Sequence, residues 1–197
     1  MDGRVSGDLA VGVVGLGFGA NHARVLDELA GVRLAAVCDK DASRLADATK
    51  GREAHAYAGF EAMLRDEKLD AVVIAAPEKL HVPFAMAAIA AGCAVLVEKP
   101  LAPSYAEGVG LVRAAAAAGV SLMAGHIERF NPAVQELRNR VQQGLVGQVL
   151  HLAARRTGPM RERTQDVNVI HDSALHDIDA MRFVLGCEVA SAFAMSQ

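Results

Sequence analysis

The sequence predicts an α/β protein in which a doubly wound parallel sheet is followed by a partial α+β domain with an antiparallel sheet. Six short apolar runs alternate with helical patterns over the first 125 residues, as in a parallel sheet that is covered on both faces. Hydrophobic residues make up 52% of the 197 residues and charged residues 22%, which is enough apolar material for a core. The pattern changes after residue 125, so we predict domains at 1–125 and 126–197.

The predicted strands are short apolar runs, and the predicted helices show apolar periodicity or a capping residue. Asp41 is a predicted N-cap, and Asn131-Pro132 supplies an N-cap followed by proline at the first helical position. The strands are predicted at residues 9–14, 33–38, 55–57, 70–75, 94–97, 121–124, 148–156 and 188–194. The helices are predicted at residues 20–29, 42–50, 60–65, 81–91, 103–118, 132–143 and 172–185.

Charge and cysteine content argue against several classes of protein. The net charge of −3 argues against nucleic-acid and membrane-surface binding, because such proteins carry a basic face. No run approaches the roughly 18 apolar residues that a membrane span needs, and the N-terminus shows no secretory signal. Cys38, Cys93 and Cys187 have no close spacing, which favours reduced thiols over disulfides or zinc. We therefore expect a cytoplasmic protein with a small-molecule ligand.

The strongest functional motif is a glycine-rich turn between the first strand and the first helix. Gly15 allows a tight turn, Gly17 lets a pyrophosphate approach the backbone, and Ala20 occupies the third position of G-x-G-x-x-G/A. The helix N-terminus offers free N–H groups and the positive end of its dipole to phosphates. Asp39 follows the second strand, 20 residues after Gly19, at the spacing typical of a carboxylate that binds adenosine ribose hydroxyls.

This motif favours NAD as the cofactor. The carboxylate of Asp39 would repel the 2′-phosphate of NADP, whereas the neighbouring Lys40 keeps NADP as the less favoured alternative. The competing interpretation is a glycine-rich structural turn in another kind of α/β protein.

Two further groups of residues are candidates for acid–base chemistry. Glu98-Lys99-Pro100 ends the fifth strand, at the edge where such sheets bind ligands, and its proline could be cis. Lysine can lose its proton when it is desolvated, and this chain has only five lysines against fifteen arginines. Asp172 and His176 are four residues apart, so an α-helix places both on one face, where a carboxylate can orient an imidazole.

Structural interpretations of these residues stay open, namely a lysine before a turn and a surface Asp–His pair. Asp179, His126 and His171 could extend the pair toward a metal site, but no tight ligand pattern supports one and we predict none. His22 and His81 lie near helix starts beside the loops of the predicted cofactor site, where capping or phosphate contact is possible.

Together these motifs resemble the glucose–fructose oxidoreductase/inositol dehydrogenase (Gfo/Idh/MocA) family. The resemblance covers residues 9–193 and rests on residues 11–26, Asp39, Pro77 with His81, Glu98-Lys99-Pro100, 125–132 and 172–179. It implies an NAD-dependent oxidoreductase that takes hydride from a hydroxyl-bearing carbon of a sugar or nucleotide-sugar. The run from 125 to 185 is similar to the branch that acts on C3 of UDP-N-acetylglucosamine.

The resemblance also implies roles for individual residues. Lys99, Asp172 and His176 would be catalytic and contact the substrate, with His176 taking the hydroxyl proton while the other two orient the hydroxyl. Arg129 and Asn131 would be further substrate contacts. The implied cofactor contacts are Gly15, Gly17, Phe18, Gly19, Ala20, Asp39, Pro77, His81, Glu98 and Lys99.

The sequence departs from the family pattern at three places. The glycine loop is one residue shorter before Asn21-His22, so either Ala20 replaces the third glycine or the helix register is shifted, and weaker cofactor binding is expected. Glu78 stands where the family has a small hydroxyl residue. Family members continue well beyond this length, so domain 126–197 is expected to be an incomplete substrate and oligomerisation domain.

An incomplete domain has consequences for assembly and activity. Two strands with one uncovered apolar face are marginal, so we expect exposed apolar surface or strands borrowed from a partner, and homo-oligomers among full-length relatives. The alternative to an enzyme is a truncated, non-catalytic protein that binds a dinucleotide or a nucleotide-sugar. A third possibility is an interaction scaffold without affinity for NAD.

Overall fold

The computed structural model describes residues 8–157 and 170–195, apart from the side chains of residues 171 and 172. The chain divides into two compact units, Met1–Gly125 and His126–Gln197. None of the described helices combines the length and apolar character that crossing a bilayer requires.

The first unit contains a six-stranded parallel sheet. Its strands are β1 (Leu9–Val14), β2 (Val32–Cys38), β3 (His55–Tyr57), β4 (Ala71–Ile74), β5 (Ala94–Val97) and β6 (Leu122–Ala124). They lie in the order β3-β2-β1-β4-β5-β6, and each neighbouring pair is parallel. The predicted parallel sheet is thus confirmed. The order reverses between β1 and β4, and such sheets bind ligands outside the strand ends at this point.

Helices cover both faces of this sheet. They are α1 (Leu16–Leu26), α2 (Ala42–Thr49), α3 (Phe60–Asp66), α4 (His81–Ala90) and α5 (Tyr105–Ala118). Alternate strand residues point to opposite faces: Val13 packs in a core with Leu16 of α1, whereas Ile74 packs in a second core with Phe60 and Leu111. Because both faces of the sheet are buried at its centre, the central strands β1, β4 and β5 are apolar and show no polar alternation. The outer strands β2 and β3 carry exposed polar residues, Arg33 and His55.

Capping residues explain where several helices begin. The carboxylate of Asp41 accepts hydrogen bonds from the backbone N–H groups of Ser43 and Arg44, which confirms the predicted cap of α2. The start predicted for α1 at residue 20 is wrong, because the helix begins at Leu16. Gly15, with a φ of 87°, turns the chain so sharply that the glycine loop itself forms the first helical turn.

The second unit is helical in the described residues. A 3₁₀ helix (Ile127–Phe130) precedes α6 (Pro132–Gln142), and a π-helical turn (Ile170–Ala174) precedes α7 (Leu175–Leu185). The side chain of Asn131 accepts a hydrogen bond from the N–H of Ala133, as predicted for an N-cap. The helix predicted from residue 172 therefore begins as a π turn, which winds more widely than an α turn.

The antiparallel sheet predicted for the second unit is not confirmed. Residues 148–157 and 187–195 contain no strand, although residues 148–156 and 188–194 were expected to form two. A strand is stabilised by hydrogen bonds to a neighbouring strand, and neither segment has such a neighbour in the described part of the chain. Leu150, Phe193 and Met195 are almost fully exposed, so their apolar pattern lies on the surface.

Candidate functional site

The glycine loop forms an open cradle at the N-terminus of α1. Gly15 is pressed against the next strand end, because a Cβ there would lie 2.4 Å from the backbone nitrogen of Ala76. Gly17 is open, and the nearest atom to a Cβ at that position would be Nη1 of Arg44, at 3.7 Å. The loop is therefore tight where it touches the sheet and accessible where a phosphate would approach.

Gly19, and not Ala20, packs closely on the sheet. A Cβ at Gly19 would lie 3.0 Å from Cγ1 of Val13 and 3.3 Å from Cβ of Ala75, whereas Ala20 is exposed. The third-glycine role therefore falls one residue earlier than the motif suggests. Of the two alternatives that the sequence left open, the shifted helix register is the one observed.

The first turn of α1 has hydrogen-bond donors for a ligand. The N–H of Leu16 donates to Oδ2 of Asp39 at 2.6 Å. Helix geometry leaves the N–H groups of Gly17 and Phe18 to be satisfied from outside the helix. Two donors at the positive end of a helix, beside an open glycine, fit the diphosphate of a dinucleotide.

Asp39 lies at the end of β2, as the ribose interpretation requires. One carboxylate oxygen accepts the N–H of Leu16, and the other accepts the N–H of Asp41 at 2.9 Å. Nη1 of Arg44 lies 3.7 Å from Oδ2 of Asp39, a contact that the sequence did not predict. Each carboxylate oxygen has two lone pairs, so Asp39 can still accept hydrogen bonds from ribose hydroxyls.

His81 lies inside the first unit and joins two loops at the ligand edge. Its side chain is buried, with the residue 2% exposed, and its predicted contact with the cofactor stays a prediction. Nε2 lies 2.8 Å from the carbonyl oxygen of Ala76, next to Pro77, and Nδ1 lies 2.7 Å from that of Pro100. His81 thus connects the loop that follows β4 to the loop that follows β5, both at the ligand edge.

The Glu98-Lys99-Pro100 segment follows β5 at the same edge. The Lys99–Pro100 peptide bond is cis, as the sequence allowed, and Lys99 is half-buried. Oε1 of Glu98 lies 2.7 Å from Nε2 of His22 on α1. Sequence reasoning missed this pair, because the two residues are 76 positions apart and no local pattern connects them.

In the second unit, Arg129 is held by the buried carboxylate of Asp179. Its Nε and Nη2 donate to Oδ2 and Oδ1 at 2.8 and 2.6 Å. Burial alone would raise the pKa of Asp179, but the hydrogen bonds from Arg129 and the nearby charge of His126 outweigh it and hold the pKa below its usual range. Arg129 therefore has a structural partner, and its predicted contact with a substrate stays a prediction.

Asn131 also has partners at both ends of its side chain. Oδ1 caps α6, while Nδ2 donates to Oε2 of Glu128 at 3.1 Å. Nearby, Arg156 donates twice to Asp177, at 2.8 and 2.9 Å, and these bonds lower the pKa of that carboxyl. The predicted substrate contact of Asn131 would have to add to these bonds or replace them.

His176 occupies the second position of α7 and is half-buried. Its charge is one of the influences that lower the pKa of His126, although burial of His126 is the largest. The backbone of Asp172 belongs to the π turn, and its side chain lies outside the described part of the structure. The prediction that Asp172 and His176 share one helix face assumed that both residues are in an α-helix. It stays a prediction.

Comparison with known proteins relates both units to one family. Residues 9–126 match the family described as "Oxidoreductase family, NAD-binding Rossmann fold", and residues 134–197 match the "GFO/IDH/MocA C-terminal domain". Inositol 2-dehydrogenase 2 of Saccharopolyspora erythraea is 35% identical over 93% of this chain and 56% of its own length. UDP-N-acetylglucosamine 3-dehydrogenase of Acidithiobacillus ferrooxidans is 33% identical over 91% of this chain and 55% of its own length.

A solved structure has a similar fold. The crystal structure of a probable dehydrogenase from Thermotoga maritima superposes with a TM-score of 0.84 at 29% identity, covering 92% of this chain and 56% of that one. The chain thus spans about half the length of the relatives that it matches.

Proposed function

Because the chain belongs to the Gfo/Idh/MocA oxidoreductase family, with its NAD-binding Rossmann fold, we propose that it is part of an NAD-dependent dehydrogenase. The proposed substrate is a cyclic polyol or a nucleotide-sugar, oxidised at a carbon that bears a hydroxyl group. C3 of UDP-N-acetylglucosamine is our first candidate, and an inositol is the second, since the relatives named above carry these two substrates in their names.

The position of Lys99 is the observation that carries this proposal. Lys99 follows β5 at the carboxyl edge of the sheet, the same edge that holds the glycine loop after β1. A lysine at such an edge can donate a hydrogen bond to a reacting hydroxyl. A dinucleotide cradle and a lysine on one sheet edge suit hydride transfer better than simple binding.

The geometry of the first unit supports the proposed cofactor contacts. The N–H groups of Gly17 and Phe18 would hold the diphosphate, and Asp39 would accept hydrogen bonds from the adenosine ribose. When bound, NAD supplies the acceptor for the hydride that leaves the substrate carbon. The carboxylate of Asp39 favours NAD over NADP, although Arg44 lies close enough to weaken that preference.

The proposed chemistry assigns the proton to residues of this chain. His176 takes the hydroxyl proton as general base, while Lys99 and Asp172 orient the hydroxyl. As the carbonyl forms, the cationic Lys99 stabilises negative charge on the oxygen, and the carboxylate of Asp172 stabilises the positive charge on His176. The substrate thereby loses one hydride from carbon and one proton from oxygen. Arg129 and Asn131 are further proposed substrate contacts, and homo-oligomerisation is proposed for the longer relatives.

The test measures NADH formation at 340 nm when the chain is given NAD with UDP-N-acetylglucosamine or myo-inositol. We expect NADH formation with at least one of the two. Lys99→Met and His176→Asn should each lower the rate by about a hundredfold or more, the usual contribution of a positioned acid or base. Lys68→Met and His151→Asn are matched controls, because Lys68 and His151 are exposed and should leave the rate unchanged.

Three outcomes separate the proposal from its alternatives. NADH formation that survives both Lys99→Met and His176→Asn would contradict the assigned roles. Binding of NAD without reduction by either substrate would favour a non-catalytic binding protein. Absence of any NAD binding would favour a scaffold.

A further inference from the structure

A hydrogen bond joins the helix of the glycine loop to the end of β5. Nε2 of His22, in the second turn of α1, lies 2.7 Å from Oε1 of Glu98. An ionised carboxylate only accepts hydrogen bonds, so the Nε2–H of His22 is the donor. Because β4 lies between β1 and β5, the bond crosses the end of an intervening strand at the ligand edge.

The carboxylate of Glu98 is confined on its other sides as well. Its side chain is 12% exposed, and Oε2 accepts the N–H of Lys99 at 3.4 Å. A Cβ at Gly125 would lie 3.0 Å from the same oxygen. His22 is itself braced edge-on by Phe18, with ring centroids 5.8 Å apart. In the described part of the chain, His22 is thus the side chain seen to hydrogen-bond to this carboxylate.

The topology places Glu98 on the nicotinamide side of a bound dinucleotide. Doubly wound sheets bind dinucleotides across the point where the strand order reverses, with the diphosphate at the first helix. Asp39 lies after β2 on one side of that point, and Glu98 lies after β5 on the other. With the adenosine ribose at Asp39, the nicotinamide half extends toward β4 and β5, where a carboxylate can accept hydrogen bonds from ribose hydroxyls.

We propose that His22 is a positioning residue for the nicotinamide half of NAD, acting through Glu98. The inference rests on the NAD binding of the proposed function and on nothing concerning the sugar. Without His22, the carboxylate loses its side-chain donor and turns away from the orientation that the cofactor needs. ADP has no nicotinamide half, so its affinity reports only on the glycine loop and on the site around Asp39.

The experiment titrates NADH and ADP into the 197-residue chain by calorimetry. His22→Ala should weaken NADH binding by about tenfold, as expected for loss of a charge-assisted hydrogen bond. Its affinity for ADP should stay within about twofold of the wild-type value. His22→Gln should recover most of the NADH affinity, because its amide N–H can donate to the same carboxylate. A merely structural role would weaken both ligands equally.

The chain offers a matched control in a second histidine–glutamate pair. Nδ1 of His55 lies 2.5 Å from Oε1 of Glu67, beside β3 at the opposite edge of the sheet. His55→Ala removes the same kind of bond and should change the affinity for neither ligand. If His55→Ala weakened NADH binding but not ADP binding, the effect would not be specific to His22, and the inference would be overturned.

The NADH-to-ADP affinity ratio decides the question. The inference is overturned if His22→Ala leaves the NADH-to-ADP affinity ratio at the wild-type value. It is also overturned if His22→Gln loses as much NADH affinity as His22→Ala. If His22→Ala does not fold, His22→Leu, which keeps side-chain volume but has no donor, must lower NADH affinity selectively. Turnover of a sugar is not a readout, so a wrong substrate class would leave this result unaffected.

Discussion

Gly125 lies directly against Glu98. A Cβ at Gly125 would come within 3.0 Å of Oε2 and 3.1 Å of Cα of Glu98, a distance that real Cβ contacts seldom reach. The glycine at the end of β6 therefore leaves the space in which the Glu98 carboxylate lies. This relationship ties the last strand of the sheet to the segment that carries Lys99.

Gly125→Ala should therefore displace Glu98 and weaken NADH binding by roughly fivefold, of the order expected when one hydrogen bond is lost. Gly110→Ala is the control, because a Cβ at Gly110 on α5 would meet open space and alanine favours a helix. Calorimetric titration of both variants checks the difference. Wild-type NADH affinity in Gly125→Ala would contradict the importance of this contact.

Gly15→Ala should destabilise the first unit much more than Gly31→Ala. Both glycines have positive φ, 87° and 78°, but a Cβ at Gly15 would collide with Ala76 whereas one at Gly31 would touch nothing within 4 Å. The left-handed conformation costs about 1 to 2 kcal/mol in either variant, and the collision adds roughly 1 to 3 kcal/mol at Gly15. Equal unfolding free energies in urea would refute this explanation.

Asp179→Asn should lower the free energy of unfolding at pH 7 by about 1 to 3 kcal/mol, less than for a fully buried pair because Arg129 is 40% exposed. The pKa of Asp179 is depressed in the folded protein. Its stabilisation is therefore present above the unfolded pKa of about 3.9 and is lost as the pH falls through the folded pKa. Urea titrations at pH 7 and pH 3 should show that the difference in unfolding free energy between the wild type and Asp179→Asn is smaller at pH 3.

The control for Asp179→Asn is Glu136→Gln, which breaks the exposed pair that Glu136 forms with Arg140 at 2.7 Å. Exposed pairs of this kind contribute about 0.5 kcal/mol or less, so this variant should unfold almost like the wild type. A larger loss from Glu136→Gln than from Asp179→Asn would reverse the expected ranking of the two pairs.

His126→Asn should reduce the loss of stability on mild acidification. Burial lowers the pKa of His126 in the folded protein, so the unfolded chain takes up its proton first as the pH falls below about 6.5. Protonation therefore favours unfolding, and wild-type stability should decline between about pH 7.5 and 5.5 more steeply than that of the variant. Parallel curves of unfolding free energy against pH would speak against this role.

Glu67→Gln should lower the pKa of Tyr57. The hydroxyl of Tyr57 donates to Oε1 of Glu67 at 2.7 Å, and this bond is the largest of the influences that raise the pKa of Tyr57 to about 12. In a Tyr105→Phe background Tyr57 is the remaining tyrosine, so absorbance at 295 nm follows one phenol. The midpoint should move toward about 10 with Glu67→Gln, and an unmoved midpoint would exclude Glu67 as the cause.

The sequence by itself determined the features that depend on neighbouring residues. Apolar runs predicted the six parallel strands. Asp41 and Asn131 were predicted as the N-caps of α2 and α6, and the glycine loop was located between β1 and α1. These features are local, because a cap or a turn involves only residues a few positions apart. The carboxyl-edge positions of Asp39 and Lys99 followed, since parallel strands bring those ends together.

Only the tertiary structure decided which distant side chains meet. It showed that Gly19 packs on the sheet, that His22 bonds to Glu98, and that Arg129 is held by Asp179, 50 positions away. The strands expected at 148–156 and 188–194 did not form, because a strand needs a neighbour that its own residues do not specify. Contacts between residues far apart in sequence depend on how the whole fold packs, and a local sequence pattern does not indicate that packing.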